Sequence, residues 1–174
     1  MLIDLSGVFQ SESGNIHQQY TPQFTKARYR GQDFSVLEKP PAVLDCVYEQ
    51  DGRARVSVSG YVVLDLFCDR CLKPVAERID FEVDRPVYAP DCVPENEAED
   101  NSEVMDGYQL NMEHLISNEV LINWPVKVLC KADCKGLCRV CGRDLNLGDC
   151  GCDDFVPDPR MAVIKDIMNA DKEV

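Results

Sequence analysis

Six cysteines fall within the 23 residues from Cys130 to Cys152, and no other feature of this chain restricts its folding so tightly. They run as Cys130, Cys134, Cys138-x-x-Cys141-Gly142 and Cys150-Gly151-Cys152. A structural zinc site needs four ligands in a tetrahedron, with thiolate sulfurs about 2.3 Å from the ion. Cys138 and Cys141 sit at turn spacing, so both sulfurs can face one centre, and Gly142 relieves the backbone as the turn reverses. Cys150 and Cys152 can present a second pair after an eight-residue excursion. These four are the primary expected ligand set. Cys130 and Cys134 can either replace one of these pairs or join Cys68-x-x-Cys71 in a second site; spacing alone leaves both arrangements open. Cys46 and Cys92 have no neighbour at ligand spacing.

A cysteine cluster means metal or redox chemistry only where disulfides do not form. The chain opens Met-Leu-Ile-Asp-Leu-Ser-Gly, without a charged segment and a long apolar segment of signal-peptide type. No apolar run approaches the roughly 20 residues of a membrane span. The expectation is a cytoplasmic protein with no membrane association and reduced thiols. Four filled positions leave a zinc no open site to activate water. His17 and His114 lie far from the cysteine pairs, and no phosphate loop, nucleophile elbow or His-Glu-x-x-His pattern occurs. The expectation is therefore no enzyme and no small-molecule substrate. Four thiolates can also hold an iron–sulfur cluster, which ranks behind zinc.

Charge narrows the partners. A formal net charge of −13 argues against a chain that coats nucleic acid and favours basic partners. Lys127, Lys131, Lys135, Arg139 and Arg143 form a local basic excess around the cysteines. They can compensate the −2 charge of a tetrathiolate zinc centre or touch RNA phosphate. No aromatic residue is interleaved with them, so no base-stacking surface is visible there.

Along the chain, a short strand is expected at 2–5, followed by a mixed, polar segment up to Pro40-Pro41. Residues 42–88 have period two. Leu44, Cys46 and Tyr48 lead to Asp51-Gly52, a hairpin signal because glycine accepts positive φ. Val56, Val58, Val62, Leu64, Leu66 and Cys68 then share one face, and after the Cys68–Cys71 turn Val75, Ile79, Phe81, Val83 and Val87 share another. Three half-apolar strands in succession predict an antiparallel meander. Residues 91–107 carry seven acidic and no basic side chains and are expected as an acidic loop. Asn111 is a helix cap for 111–123, where Met112, Leu115, Ile116, Val120 and Leu121 follow at helical spacing until Trp124-Pro125. Asp158-Pro159 opens a closing helix with an apolar stripe at Met161, Ile164, Ile167 and Met168. No internal repeat is apparent.

Several of these motifs together resemble the YceD family of bacteria and plastids. They are Cys68-Asp-Arg-Cys71-Leu-Lys-Pro74 after a long strand, Pro125-Val-Lys-Val-Leu-Cys130, Cys134-Lys-Gly-Leu-Cys138-x-x-Cys141-Gly142-x-x-Leu145-Asn146, Cys150-x-Cys152, and Asp158-Pro159-Arg160-Met161 leading into a helix. The resemblance covers roughly residues 42–170. Arg139 departs from it, standing where proline is common between the knuckle cysteines, at some cost in turn rigidity. The resemblance implies a non-catalytic role in accumulation of large-subunit (23S) ribosomal RNA. A basic large-subunit ribosomal protein, often encoded beside the family's gene, is then a candidate partner. Some members lack the C-terminal cluster yet keep the Cys-x-Arg-Cys turn, which implies that the zinc site serves local folding.

The expected architecture is α+β: an antiparallel β-meander with a few helices and a C-terminal cysteine-rich zinc-binding segment. Residues 1–124 form a β-rich domain with the acidic loop and one helix; residues 125–174 form the zinc segment and closing helix, packed on the same domain. The expected function is a ribosome-biogenesis factor acting through large-subunit rRNA, a basic ribosomal protein, or both. The alternatives are a zinc-ribbon nucleic-acid-binding regulator and an iron–sulfur or redox protein.

Overall fold

Alternation of buried and outward-facing side chains, interrupted at Gly60, makes one strand, β6 (Arg53–Phe67), the spine of the molecule. A computed structural model describes residues 2–10 and 14–152. The other strands are β1 (Leu2–Asp4), β2 (Asn15–Tyr20), β3 (Lys26–Tyr29), β4 (Gln32–Glu38), β5 (Ala42–Gln50), β7 (Pro74–Tyr88), β8 (Met105–Asp106) and β9 (Gln109–Asn111). The helices are α1 (Ser6–Phe9), α2 (Ala98–Val104) and α3 (Met112–Ile122).

β7 pairs antiparallel with β6 along its whole length, from Arg53↔Tyr88 to Phe67↔Pro74. On the other edge of β6, β5 takes the first half and β4 meets Val63 and Leu64. The six-stranded sheet has the order β2-β5-β6-β4-β3, with β7 added on β6. The expected meander of 42–88 is therefore present, and the fold is antiparallel β with few helices. The Asp51-Gly52 turn has positive φ at both residues (51° and 71°), as a tight hairpin with right-handed twist requires.

One sheet face is dry. Leu44, Cys46, Val56, Val58, Val62, Leu64 and Val87 are at most 1 % exposed and pack with Leu5, Val8, Leu110, Met112 and Ile116. The last four come from α1, from α3 and from the small sheet β1-β9-β8, which closes over the core. Asn111 caps α3, its side chain accepting from the His114 N–H at 3.1 Å, and Met112, Leu115, Ile116 and Val120 are buried.

Two expectations need correction. The mixed segment before Pro40 holds three strands, β2 to β4. Their sequences are too polar to read as strands because each buries little; β2 buries only Tyr20 fully. The acidic stretch 91–107 is not a loop throughout. It forms a 3₁₀ turn at Glu95–Glu97, then α2 and β8. What orders it is a polar anchor: the Asn101 side chain accepts the Tyr88 N–H at 2.9 Å, while Val104 and Met105 enter the core. The closing helix expected from Asp158 lies outside the described residues.

Candidate metal centres

The turn between β6 and β7 is the first knuckle. The Cys68 N–H donates to the Lys73 carbonyl at 2.8 Å, and the Leu72 N–H returns to the Cys68 carbonyl at 2.9 Å. Leu72 adopts φ 59° to close this turn. The same two bonds recur at Cys138, from its N–H to the Arg143 carbonyl at 2.8 Å and from the Gly142 N–H to the Cys138 carbonyl at 2.9 Å. Gly142, at φ 73°, takes the place of Leu72. The two Cys-x-x-Cys turns are thus one backbone motif used twice, a local repeat that side-chain identity hides.

Each knuckle gathers a second pair. Cys68, Cys71, Cys130 and Cys134 place their four sulfurs within 4.8 Å of one another, and so do Cys138, Cys141, Cys150 and Cys152. Four sulfurs on a tetrahedron with arms of about 2.3 Å stand about 3.8 Å apart. Cys68 and Cys134 are 3.8 Å apart and Cys71 and Cys130 3.5 Å, far beyond the roughly 2.05 Å of a disulfide. All ten cysteines are free. The structure therefore keeps the 138/141/150/152 set together, and of the two arrangements open for Cys130 and Cys134 it shows the one that joins them to Cys68 and Cys71. Cys46 stands apart in the core, its thiol pushed up to about 11 by burial, and Cys92 is exposed.

The first cluster ties together distant parts of the chain. The Asp69 N–H donates to the Val128 carbonyl at 2.9 Å, and the Val128 N–H donates to the Asp69 carboxylate at 2.7 Å. Arg70 reaches the Cys134 carbonyl at 2.6 Å and accepts the Leu137 N–H on its own carbonyl at 3.1 Å. Cys68, Cys71 and Cys134 are buried, whereas in the second cluster only Cys138 is.

A polar clasp links the clusters. Lys73 lies 2.7 Å from Asp144, and Lys73 first, then Asn146, hold that carboxyl down to about 2. Asn146 also donates to the Cys134 sulfur at 3.4 Å and accepts the Lys135 N–H at 3.0 Å. Asp144 was not legible in the sequence, and Arg70 and Asn146 were visible there only as motif positions without their contacts. The nearest signal is the Leu145-Asn146 pair at fixed distance from the knuckle.

Thiol electrostatics fit a cation at each cluster. Burial works against ionising Cys68, but the N–H groups of Cys130, Arg70 and Cys71 outweigh it and bring the thiol down to about 6. The N–H groups of Cys141 and Val140 do the same for Cys138, also to about 6. Their neighbours oppose them: Cys130 is pushed up to about 12 by Cys71 and then burial, and Cys152 to about 12 by Cys141 and Cys150. Four crowded thiols cannot all ionise unaided, and a divalent ion removes that conflict. Each cluster is able to hold a metal ion, and the all-sulfur donor set suits zinc or iron–sulfur. Lys127, Lys131, Lys135, Arg139 and Arg143 are all exposed, and among the described residues only Lys131 has an ion pair, 3.8 Å from Asp133. His17 pairs with Asp45 at 2.5 Å on the sheet surface, and neither histidine joins a cluster.

No helix among the described residues is long and apolar enough to cross a membrane. No curated protein and no solved structure matches the chain. A family model described as large ribosomal RNA subunit accumulation protein YceD matches residues 54–168, from the start of β6 through both knuckles. That span holds all eight clustered cysteines and two thirds of the sequence, so the chain belongs to the YceD family, whose role is accumulation of large-subunit ribosomal RNA.

Proposed function

We propose that this protein is a non-catalytic factor in ribosome biogenesis. It supports synthesis, processing or accumulation of 23S rRNA in the cytoplasm, through large-subunit rRNA or a basic large-subunit ribosomal protein. The observation that carries this reading is the family match across both knuckles. Two further features support it. Each cluster is composed of four thiols, which leaves no ligand position for substrate or water on a four-coordinate ion. The net charge of −13 suits a basic protein partner.

In this reading each cluster holds one structural zinc: Cys138, Cys141, Cys150 and Cys152 the one, Cys68, Cys71, Cys130 and Cys134 the other. The metal lets all four thiols of a cluster ionise together, and the chain's own N–H groups and Asn146 orient the sulfurs. Protein purified without air should be colourless and contain two zinc ions per chain. Visible absorbance would instead identify an iron–sulfur protein.

The functional test is affinity purification of the tagged chain from its own cells, with bound RNA and protein both identified. Enrichment of large-subunit rRNA precursors or of a basic ribosomal protein is expected. If neither rises above background in low salt, the binding-factor reading fails and the effect on rRNA is regulatory.

A further inference from the structure

Most large side chains of this protein enter the core, but one aromatic group gathers at the surface, at the end of β6 away from the hairpin turn. Phe34, Phe67, Trp124 and Val128 line a recess of about 140 Å³, with Gln32 and Asp69 supplying its polar atoms. Tyr29 stacks on Trp124 with centroids 4.4 Å apart and planes 13° from parallel, and Phe34 meets the same indole at 5.2 Å. The Arg30 guanidinium stands 5.2 Å from the Tyr29 ring centre. Phe67, at an outward-facing position of β6, is 53 % exposed.

The strand beside this group is locally basic, although Arg28 pairs with Asp33 at 3.8 Å. Residues 21–32 contain Lys26, Arg28 and Arg30 and no acidic residue, in a chain with 31 acidic and 18 basic side chains. Arg30 and Lys127, the neighbour of Val128, are both exposed. Rings with an open face beside arginine and lysine are what single-stranded nucleic acid recognises. Bases stack on aromatics and on guanidinium planes, while the cations neutralise phosphates. The β3–β4 hairpin lies before residue 54, outside the family match, whereas Phe67, Asp69, Trp124, Lys127 and Val128 lie within it.

We propose that the recess takes an unstacked base of single-stranded RNA, packed against Phe67 and Trp124, with Tyr29 backing the indole. Arg30 and Lys127 hold the flanking phosphates, and Gln32 and Asp69 face the edge of the base. The choice of RNA over another polyanion rests on the ribosomal reading above; the site itself stands on the aromatic and basic geometry.

Trp124 is the only tryptophan in the chain, so its fluorescence reports on this site. The metal-loaded full chain is titrated with a single-stranded RNA of about 12 nucleotides, within the usual site size. Saturable quenching is expected, with a duplex of the same sequence binding at least about tenfold more weakly because its bases are already stacked. Phe67→Leu keeps an apolar side chain and removes the ring; it should weaken binding about fivefold to a hundredfold. Arg30→Gly keeps the left-handed turn and should lower the salt slope by about 0.7, the value of one phosphate contact on a single strand. Far-UV circular dichroism confirms that each variant is folded. Unchanged affinity in both folded variants overturns the site, as does an RNA that leaves Trp124 unquenched or a basic peptide that quenches it where RNA does not. If rRNA precursors co-purify with the chain while the oligonucleotide leaves Trp124 unchanged, the assembly role stands and this site falls. Quenching without co-purification has the opposite meaning.

Discussion

Among single residues, Glu113 does more than its place beside the α3 cap suggests. Its carboxylate accepts from the Tyr20 hydroxyl, from the Gln23 N–H at 2.7 Å and from the Phe24 N–H at 3.2 Å. It thereby fastens the bend between β2 and β3 to the first turn of α3. Burial opposes ionisation of Glu113, but the Tyr20, Gln23 and Phe24 bonds outweigh it and hold the group below its ordinary 4.5. A carboxyl lowered in the folded state contributes stability that is complete above its unfolded value and is lost as pH falls through the folded one. Glu113→Ala should cost about 2 kcal/mol at neutral pH, the scale of bonds to a charged acceptor. The gap from wild type should narrow as pH drops below 4.5. Urea melts of both proteins at neutral and acid pH check this; a gap that is constant with pH would assign the loss to packing instead.

Among elements, the knuckles show how far spacing can be read. Period two in β6 and β7 and the cap of α3 were legible because each of these elements buries a full apolar face, which is what alternation encodes. β2, with Ile16 and Tyr20 its only apolar side chains, was not, since it is held by its ladder to β5. α2 was not either, because the side chain that anchors it is the polar Asn101. The Cys-x-x-Cys pairs could be seen singly, but the contact between Cys71 and Cys130 spans 59 positions, and only the fold decides it. That docking depends on a close backbone approach at Gly136, where φ is 80° and an added Cβ would lie 2.9 Å from the Arg70 carbonyl oxygen. This carbonyl cannot withdraw without losing the Leu137 N–H. Gly136→Ala should therefore cost about 1–3 kcal/mol through strain and overpacking. It should also speed metal release to a chelator. Gly142→Ala meets nothing within 4 Å and should cost only the turn strain of about 1 kcal/mol. Equal losses in the two variants would show that contact with Arg70 does not matter.

At the scale of the whole molecule the two clusters have unequal duties. The first joins the β6–β7 turn to the chain beyond α3, through Asp69–Val128 and Arg70–Cys134 as well as through sulfur. The second closes only the loop 138–152 on itself and reaches the first knuckle through Lys73–Asp144 and Asn146–Cys134. Four-thiol centres contribute their metal-binding energy to folding, because the unfolded chain has no preformed site. Replacing Cys138 and Cys141 by Ser should then release one metal and leave the first cluster loaded. Fast hydrogen exchange should be confined mostly to residues 138–152. Replacing Cys68 and Cys71 by Ser should release the other metal and also free residues 125–152. The second cluster would then persist, if at all, on an undocked segment, while the meander of residues 42–88 keeps its protection through the unbroken β6–β7 ladder. Metal content and hydrogen exchange, measured on both variants, give this order directly. If the Cys138/Cys141 variant frees residues 125–137 as fully as the Cys68/Cys71 variant does, the clusters form one cooperative unit and the first is not the hinge pin. If the Cys138/Cys141 variant keeps both metals, those two cysteines are not ligands.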